Sequence, residues 1–207
     1  MLFEDSFLSI AHPCEGLFKD KGSKFISYAF PVNNEMEIKS HLTQLRKEHH
    51  SARHHCYAYR LGADKLTVRS NDDGEPSNTA GKPILGQIQS KDLSDILIVV
   101  VRYFGGTLLG VSGLINAYKL AAADALNNAT IIEKIVKELY EIKFEYLQMN
   151  DVMKLIKDEH LEIKSQQLQL NCCLVFSVRK NEAIRIQELF SKINNLSIKY
   201  INSNTNL

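Results

Sequence analysis

The 207-residue chain lacks several features that would assign it to a specialised class of protein. Its four cysteines form no CxxC pair, and they do not predict a disulfide framework. The longest apolar run, Ile96 to Val101, suits a strand and is too short to cross a membrane. The N-terminus carries no basic segment, so no signal peptide is predicted. Together these absences favour a cytoplasmic protein with reduced thiols that binds no membrane.

An excess of charge of one sign is also absent. The chain carries 25 Lys and Arg residues against 24 Asp and Glu residues, which gives a net charge of +1. Strong binders of a phosphate backbone carry a basic field, so we expect no sequence-specific DNA binding. The net charge does not exclude a local basic patch that contacts RNA.

Hydrophobic periodicity predicts strands and a helix in the first 70 residues. Residues 5–31 contain two or three short extended segments, and alternation in KFISYAFPV is typical of a sheet strand. Residues 34–48 switch to the spacing of an amphipathic helix, with Asn33 or Asn34 as its cap. The segments HHCYAYRL and KLTVRS predict two further strands.

The stretch from Arg69 to Asn128 concentrates glycine and charge. Thr79 is predicted to cap a short helix with Pro83 in its first turn. The segment from Asp95 to Tyr103 is apolar on both faces, which predicts a central strand. Val111 to Asn128 then predicts a helix whose small-residue stripe packs closely on a sheet.

A domain boundary is predicted at residues 127–130. Beyond it, the pattern predicts a strand near 135–147, a helix at 150–159, strands at 161–169 and 171–179, a helix at 181–193 and a strand at 196–202. This β-α-β-β-α-β order is the ferredoxin-like, split βαβ arrangement. We therefore predict an α+β protein with domains at 1–130 and 131–207.

The acidic segment around Asp72, Asp73 and Glu75 allows two interpretations. Clustered carboxylates suit a divalent cation or a basic partner surface. The dipeptide Asp73-Gly74 is also a common turn, in which Asp side chains cap local N–H groups. Because Asp-Gly turns are frequent, a solvated β-turn is favoured over a cation site or a partner surface.

The glycines at 105, 106, 110 and 113 follow a buried strand and open a helix. Such a unit can present backbone N–H groups and the helix dipole to an anion. It lacks the sequence of a Walker P-loop and the GxGxxG spacing. The glycines can equally serve positive φ angles and close packing, so both interpretations stay open.

Two further clusters favour packing over chemistry. His49, His50, His54, His55 and Cys56 invite a zinc hypothesis, but neighbours in a strand point to opposite faces, so no metal site is predicted. Aromatics in the C-terminal strands could bind single-stranded RNA, but core packing is favoured for most of them. These aromatics are Tyr140, Phe144, Tyr146, Phe176 and Tyr200.

Three segments together resemble the IMPACT/YigZ family across roughly residues 15–128. They are DGEPSNTAGKP at 73–83, VVRYFGGTLLGVSGLINAY at 100–118 and HHCYAYR at 54–60. Two departures are His55, where many members have Asn, and Val111-Ser112, which replaces a small-residue pair. The resemblance implies an N-terminal domain similar to domain 2 of ribosomal protein S-five, followed by a ferredoxin-like domain similar to domain V of elongation factor G.

The resemblance also implies a non-enzymatic regulator linked to translation, which acts through contacts with protein, RNA or the ribosome. It assigns no catalytic residue, no cofactor and no metal. The alternative is a phosphate- or nucleotide-binding protein, or a small-molecule kinase-like enzyme, that uses the loop from Gly105 to Gly113. The predicted binding residues are Arg69, Asp72, Asp73, Gly74, Glu75, Pro76, Thr79, Gly81, Lys82, Arg102, Tyr103, Phe104, Gly105, Gly106, Gly110, Ser112 and Gly113. We expect Asp72–Pro83 and Arg102–Gly113 to lie on one face of the N-terminal domain.

Overall fold

A computed structural model describes residues 5–206 of the chain, which contain ten strands and five α-helices. The strands are β1 (Ser6–Ile10), β2 (Cys14–Asp20), β3 (Ser23–Pro31), β4 (His54–Leu61), β5 (Thr67–Asn71), β6 (Ile96–Tyr103), β7 (Ile131–Glu145), β8 (Glu162–Gln167), β9 (Asn171–Arg179) and β10 (Ser197–Asn206). The helices are α1 (Glu35–Glu48), α2 (Gly81–Ser90), α3 (Gly110–Asn127), α4 (Met149–Asp158) and α5 (Ala183–Ser191). This mixed α/β architecture confirms the predicted fold class.

The chain forms two compact units. Residues Phe7–Glu133 form one, and the described residues from Lys134 to 206 form the other together with Asp5 and Ser6. The division predicted from the sequence, at residues 127–130, covers the last residue of α3 and the short connection to β7.

The unit of residues 7–133 is built on an antiparallel sheet with the strand order β2-β3-β6-β4-β5. Strand β6 lies at its centre and is buried on both faces. Side chains such as Ile98 and Val100 pack in the cluster that contains α2 and α3. Leu97, Val99 and Val101 pack in a second cluster with α1. The continuous apolar run therefore has the central position that its composition predicts.

Small side chains bring α3 close to the sheet. The Ser27 hydroxyl donates a 2.6 Å hydrogen bond to the carbonyl of Ala121. A Cβ atom added at Gly16 would lie 2.3 Å from the backbone nitrogen of Ala125. The small-residue stripe therefore allows the close packing on the sheet that its spacing predicts, because larger side chains would separate α3 from the strands.

The second unit has the split βαβ arrangement. Its antiparallel strands lie in the order β10-β7-β9-β8. Tyr140, Phe144 and Phe176 are at most 4% exposed and pack with α4 and α5. Their assignment to the core is confirmed, and they offer no platform on which bases could stack. Strand β7 ends at Glu145, so Tyr146 follows it in a 3-10 turn rather than in the strand.

None of the helices within residues 5–206 has the length and apolar character needed to span a membrane.

Candidate functional site

A cleft of about 520 Å3 opens at the first turn of α3. Its walls come from the acidic turn, the start of β4, the end of β6 and the segment that enters α3. The lining residues are Arg53, His54, Glu75, Pro76, Arg102, Phe104, Leu108, Leu109, Gly110, Val111 and Leu114. Parts of the two segments predicted to share a face, residues 72–83 and 102–113, therefore surround one cavity.

The floor of the cleft holds a buried ion pair between Glu75 and Arg102. The side chains are 4% and 7% exposed, and Arg102 Nη1 donates a 2.6 Å hydrogen bond to Glu75 Oε1. The hydroxyl of Tyr118 donates to the same carboxylate oxygen at 2.8 Å. A solvated turn is therefore wrong for Glu75, because this carboxylate enters the core and meets partners far along the chain.

The thiol of Cys56 adjoins this network and is unreactive. Its Sγ atom donates to the carbonyl of Asp72 at 2.9 Å and lies 3.4 Å from the Tyr118 hydroxyl. Burial raises the pKa of the Cys56 thiol and that of the Tyr118 hydroxyl far above their usual values. Because the thiolate is the nucleophilic form, this cysteine supplies no nucleophile.

Asp72 caps α2, which corrects the assignment of Thr79 to that role. Asp72 accepts hydrogen bonds from the backbone N–H groups of Asn78, Ala80 and Gly81 at 2.8, 3.0 and 2.8 Å. Burial opposes its ionisation, but these N–H groups outweigh burial and lower the pKa of the Asp72 carboxyl. The hydroxyl of Thr79 instead donates to the carbonyl of Pro76.

Asp73 joins the turn to α1 and β4. Its carboxylate accepts from Arg46 at 3.1 Å and from the backbone N–H of His55 at 2.7 Å. Asp73 and Gly74 adopt positive φ angles of 41° and 87°, as expected for an Asp-Gly turn. All three acidic side chains of this segment are thus engaged within the protein.

The histidines have separate partners and form no metal site. Among the described residues, no group of three or more His, Cys, Asp or Glu side chains is arranged to hold a metal ion. His49 contacts the hydroxyls of Tyr28 and Tyr103, each at 2.8 Å. His54 Nδ1 lies 2.9 Å from the carbonyl oxygen of Asp73, while His55 is buried on β4.

The contact of His54 fixes its tautomer. A carbonyl oxygen only accepts, so Nδ1 of His54 carries a proton and donates it to the carbonyl of Asp73. Glu75 also lines the cleft, so the lining presents a carboxylate as well as hydrogen-bond donors.

The glycines of the loop serve different purposes. A Cβ atom at Gly105 would lie 1.8 Å from the backbone carbon of Gly22, so Gly105 permits close packing of two turns. Gly106 and Gly110 have φ angles of +88° and +73° with open space around them. Helix α3 starts at Gly110 with no side-chain cap, and Ser112 is exposed on its first turn. The first N–H groups of α3 therefore stay available to a ligand.

Large apolar side chains project at the mouth of the cleft. Leu108 is 83% exposed, Val111 60% and Phe104 56%. Phe104 also covers the guanidinium of Arg102, whose Cζ atom lies 5.7 Å from the ring centroid. Contiguous exposed apolar side chains beside a cavity mark an interaction surface.

The cleft gathers some of the predicted residues and adds others. Glu75, Pro76, Arg102, Phe104 and Gly110 line it, whereas the remaining predicted residues do not. Those outside the lining are Arg69, Asp72, Asp73, Gly74, Thr79, Gly81, Lys82, Tyr103, Gly105, Gly106, Ser112 and Gly113. The other lining residues, which the sequence did not assign to the site, are Arg53, His54, Leu108, Leu109, Val111 and Leu114. Leu108 could have been found because it is a large apolar residue inside a glycine-rich loop, and the turn itself does not require an apolar side chain.

The fold and the cleft define an α+β protein of two units whose first unit carries a ligand-sized cavity. The family model described as the Impact N-terminal domain matches residues 21–126, which span the cleft. The IMPACT family member of Haemophilus influenzae is 37% identical over 160 residues, 76% of this chain and 78% of that protein. The chain belongs to the IMPACT family.

Two other relatives mark the extent of the similarity. The protein IMPACT homolog of Dictyostelium discoideum is 38% identical over 95 residues, 44% of this chain and 27% of that protein. A crystal structure of a hypothetical protein superposes with a TM-score of 0.72 at 32% identity and covers 96% of this chain and 98% of its own. The two-unit architecture is therefore shared with a solved structure over nearly the full length.

Proposed function

We propose that this protein is a non-enzymatic, cytoplasmic binding protein of the translation machinery, which contacts a ribosomal or ribosome-associated partner through the cleft. The observation that carries the proposal is the exposure of Leu108, Val111 and Phe104 around the cavity. A single exposed apolar side chain is normal, but a contiguous group beside a cavity is typical of a surface that a partner covers. The translational context comes from the resemblance to IMPACT proteins of eukaryotes, which implies a role in regulating translation.

The engagement of the acidic side chains supports a binding role over catalysis. Phosphoryl transfer needs a carboxylate that holds Mg²⁺ or accepts a proton. Asp72 caps α2, Asp73 pairs with Arg46, and Glu75 pairs with Arg102. Each carboxylate has a partner inside the protein, so none is left to serve the loop.

Co-sedimentation with purified bacterial ribosomes tests the proposal with matched variants. Leu108→Ser removes an 83% exposed side chain at the cleft, and Leu66→Ser removes a 78% exposed leucine elsewhere. We expect Leu108→Ser to weaken binding by roughly fivefold or more, while Leu66→Ser binds like the wild type. Absence of wild-type binding, or equal binding by both variants, would overturn the proposal.

The alternative of a nucleotide-binding protein rests on the uncapped first turn of α3 and the open glycines at 106 and 110. Thermal unfolding with a nucleotide panel and Mg²⁺ separates the two. We expect no rise in the melting temperature at millimolar nucleotide. A rise that Gly110→Ala abolishes would favour the alternative.

A further inference from the structure

We infer that the cleft recognises a protein segment that places an apolar side chain and an adjacent carboxylate together, with the carboxylate over the first turn of α3. This inference rests on the proposed binding function and specifies the chemistry of the partner. It combines an apolar wall, an anion-binding helix terminus and a set of unengaged donors, all within residues 53–114.

The apolar requirement follows from the lining. Leu108, Leu109, Val111 and Leu114 form one wall, and Pro76 and Phe104 lie among the other lining residues. A cavity of about 520 Å3 with such walls accommodates one or two side chains of a partner. The exposed Leu108 would become covered on binding, which supplies apolar burial.

The anionic requirement follows from α3. Its first turn has no side-chain cap, so its N–H groups and the positive end of its dipole meet the cavity at Gly110 and Val111. In contrast, the first turn of α1 is capped by the side chain of Asn34, which accepts from the N–H of Glu37 at 3.0 Å. A side chain of the protein therefore caps α1, whereas the first N–H groups of α3 have no side-chain cap.

Arg102 supplies an independent indication of an anion. The residue is 6% exposed and lines the cleft, and its Nε atom has no hydrogen-bond partner among the described residues. A guanidinium carries five N–H donors, and Glu75 accepts from one of its terminal nitrogens. Buried donors of this kind are rarely left unmatched, so the unmatched donor points to an acceptor brought by a ligand.

Charge complementarity distinguishes a protein segment from RNA. Arg53 is exposed and forms no ion pair within residues 5–206, so the cleft has one unneutralised cation in its lining. Arg102 is already paired with Glu75. One unpaired cation suits a single carboxylate, whereas a nucleic acid backbone needs a run of basic side chains.

A fragment titration of the full-length, 15N-labelled chain tests this inference. The probes are N-acetyl-leucine, which joins an isobutyl group to a carboxylate, and N-acetyl-leucine amide, which lacks the charge. We expect millimolar N-acetyl-leucine to shift the amide signals of residues 110–113 and the side-chain N–H of Arg102. The amide probe should bind on the order of tenfold more weakly, because it lacks charge-assisted hydrogen bonds.

Matched variants locate the effect. Arg53→Gln should weaken N-acetyl-leucine binding by roughly threefold or more, since it removes the unpaired charge. Lys39→Gln, which alters an exposed cation on α1 outside the cleft, should leave binding unchanged. Leu108→Ser should also weaken the binding of both probes, because it removes an apolar contact.

Two outcomes would overturn the inference. One is equal binding of the acid and its amide, or no shift at residues 110–113 with either. The other is that inorganic phosphate or a single-stranded RNA oligonucleotide shifts the same amides at lower concentration than N-acetyl-leucine. If ribosome binding still depends on Leu108 in either case, the proposed function stands and this assignment of the partner fails.

Discussion

Glu75 and Arg102 lie 27 positions apart in the sequence and meet at 2.6 Å inside the first unit. The pair links the acidic turn to the end of β6, and Tyr118 adds α3 to the same carboxylate. Three elements that line the cleft are thus held together by one buried carboxylate. The shape of the cleft depends on this contact.

Glu75→Gln should destabilise the protein by about 3 kcal/mol, because it leaves the buried charge of Arg102 without a counter-charge. Since the chain has no tryptophan, urea unfolding is followed best by circular dichroism. The double variant Glu75→Gln/Arg102→Met should recover much of the loss, because it removes the second charge too. Additive losses in the double variant would contradict an energetically coupled pair.

Asp72→Asn should destabilise the protein by about 1 kcal/mol at pH 7, because it weakens the cap of α2. The lowered pKa of Asp72 in the folded protein means that its stabilisation is present above its unfolded value of 3.8. This stabilisation is lost as the pH falls through the lower folded value. The difference in unfolding free energy between wild type and Asp72→Asn should therefore shrink below about pH 3.8. A constant difference across that range would argue against an ionised cap.

His55 should give the folded protein a second dependence on pH. Burial lowers the pKa of His55 and outweighs the nearby Asp73 carboxylate, which acts in the opposite direction. A lowered pKa means that the neutral form is favoured by folding, so stability is full above the unfolded value of 6.5 and falls as the pH drops through the folded value. Urea midpoints measured from pH 7.5 down to about 5 should decline in the wild type.

His55→Asn should flatten this decline, since Asn does not titrate. His12→Asn serves as the control, because His12 is exposed. If both variants keep the slope of the wild type, protonation of His55 is not its cause.

Gly105→Ala should cost at least about 2 kcal/mol, because the new methyl group would overlap the backbone of Gly22 and Ser23. Gly86→Ala is a useful comparison within the same unit. Nothing lies within 4 Å of a Cβ atom at Gly86, which is on α2, so alanine there should stabilise the protein by about 0.5 to 1 kcal/mol. Opposite signs for the two substitutions would separate a packing glycine from one that lacks a steric role.

Local chemistry explains why much of the fold was predictable. The cap of α1 at Asn34 depends on residues three positions away, and β6 is marked by an unbroken apolar run within one strand. Likewise, the switch between periods in residues 131–206 revealed the ferredoxin-like order without any long-range information. Patterns of this kind are written in consecutive residues.

The cleft was harder to predict because its contacts are distant in sequence. An Asp-Gly turn with several carboxylates indicates a solvated loop, and no neighbour reveals that Glu75 meets Arg102 and Tyr118. Thr79 has the right residue type and position for a helix cap, yet Asp72 reaches the same N–H groups across the turn. Leu108 was missed for the opposite reason, since an apolar residue is expected to be buried.

The half-exposed ring of Phe104 offers a spectroscopic route into the cleft. Because the natural chain contains no tryptophan, Phe104→Trp would give the protein a single indole at the mouth of the cavity. Its fluorescence could be excited selectively at wavelengths longer than those that the eight tyrosines absorb. Binding of a partner at the cleft would then change the wavelength or the intensity of the tryptophan fluorescence, and no dye would have to be attached.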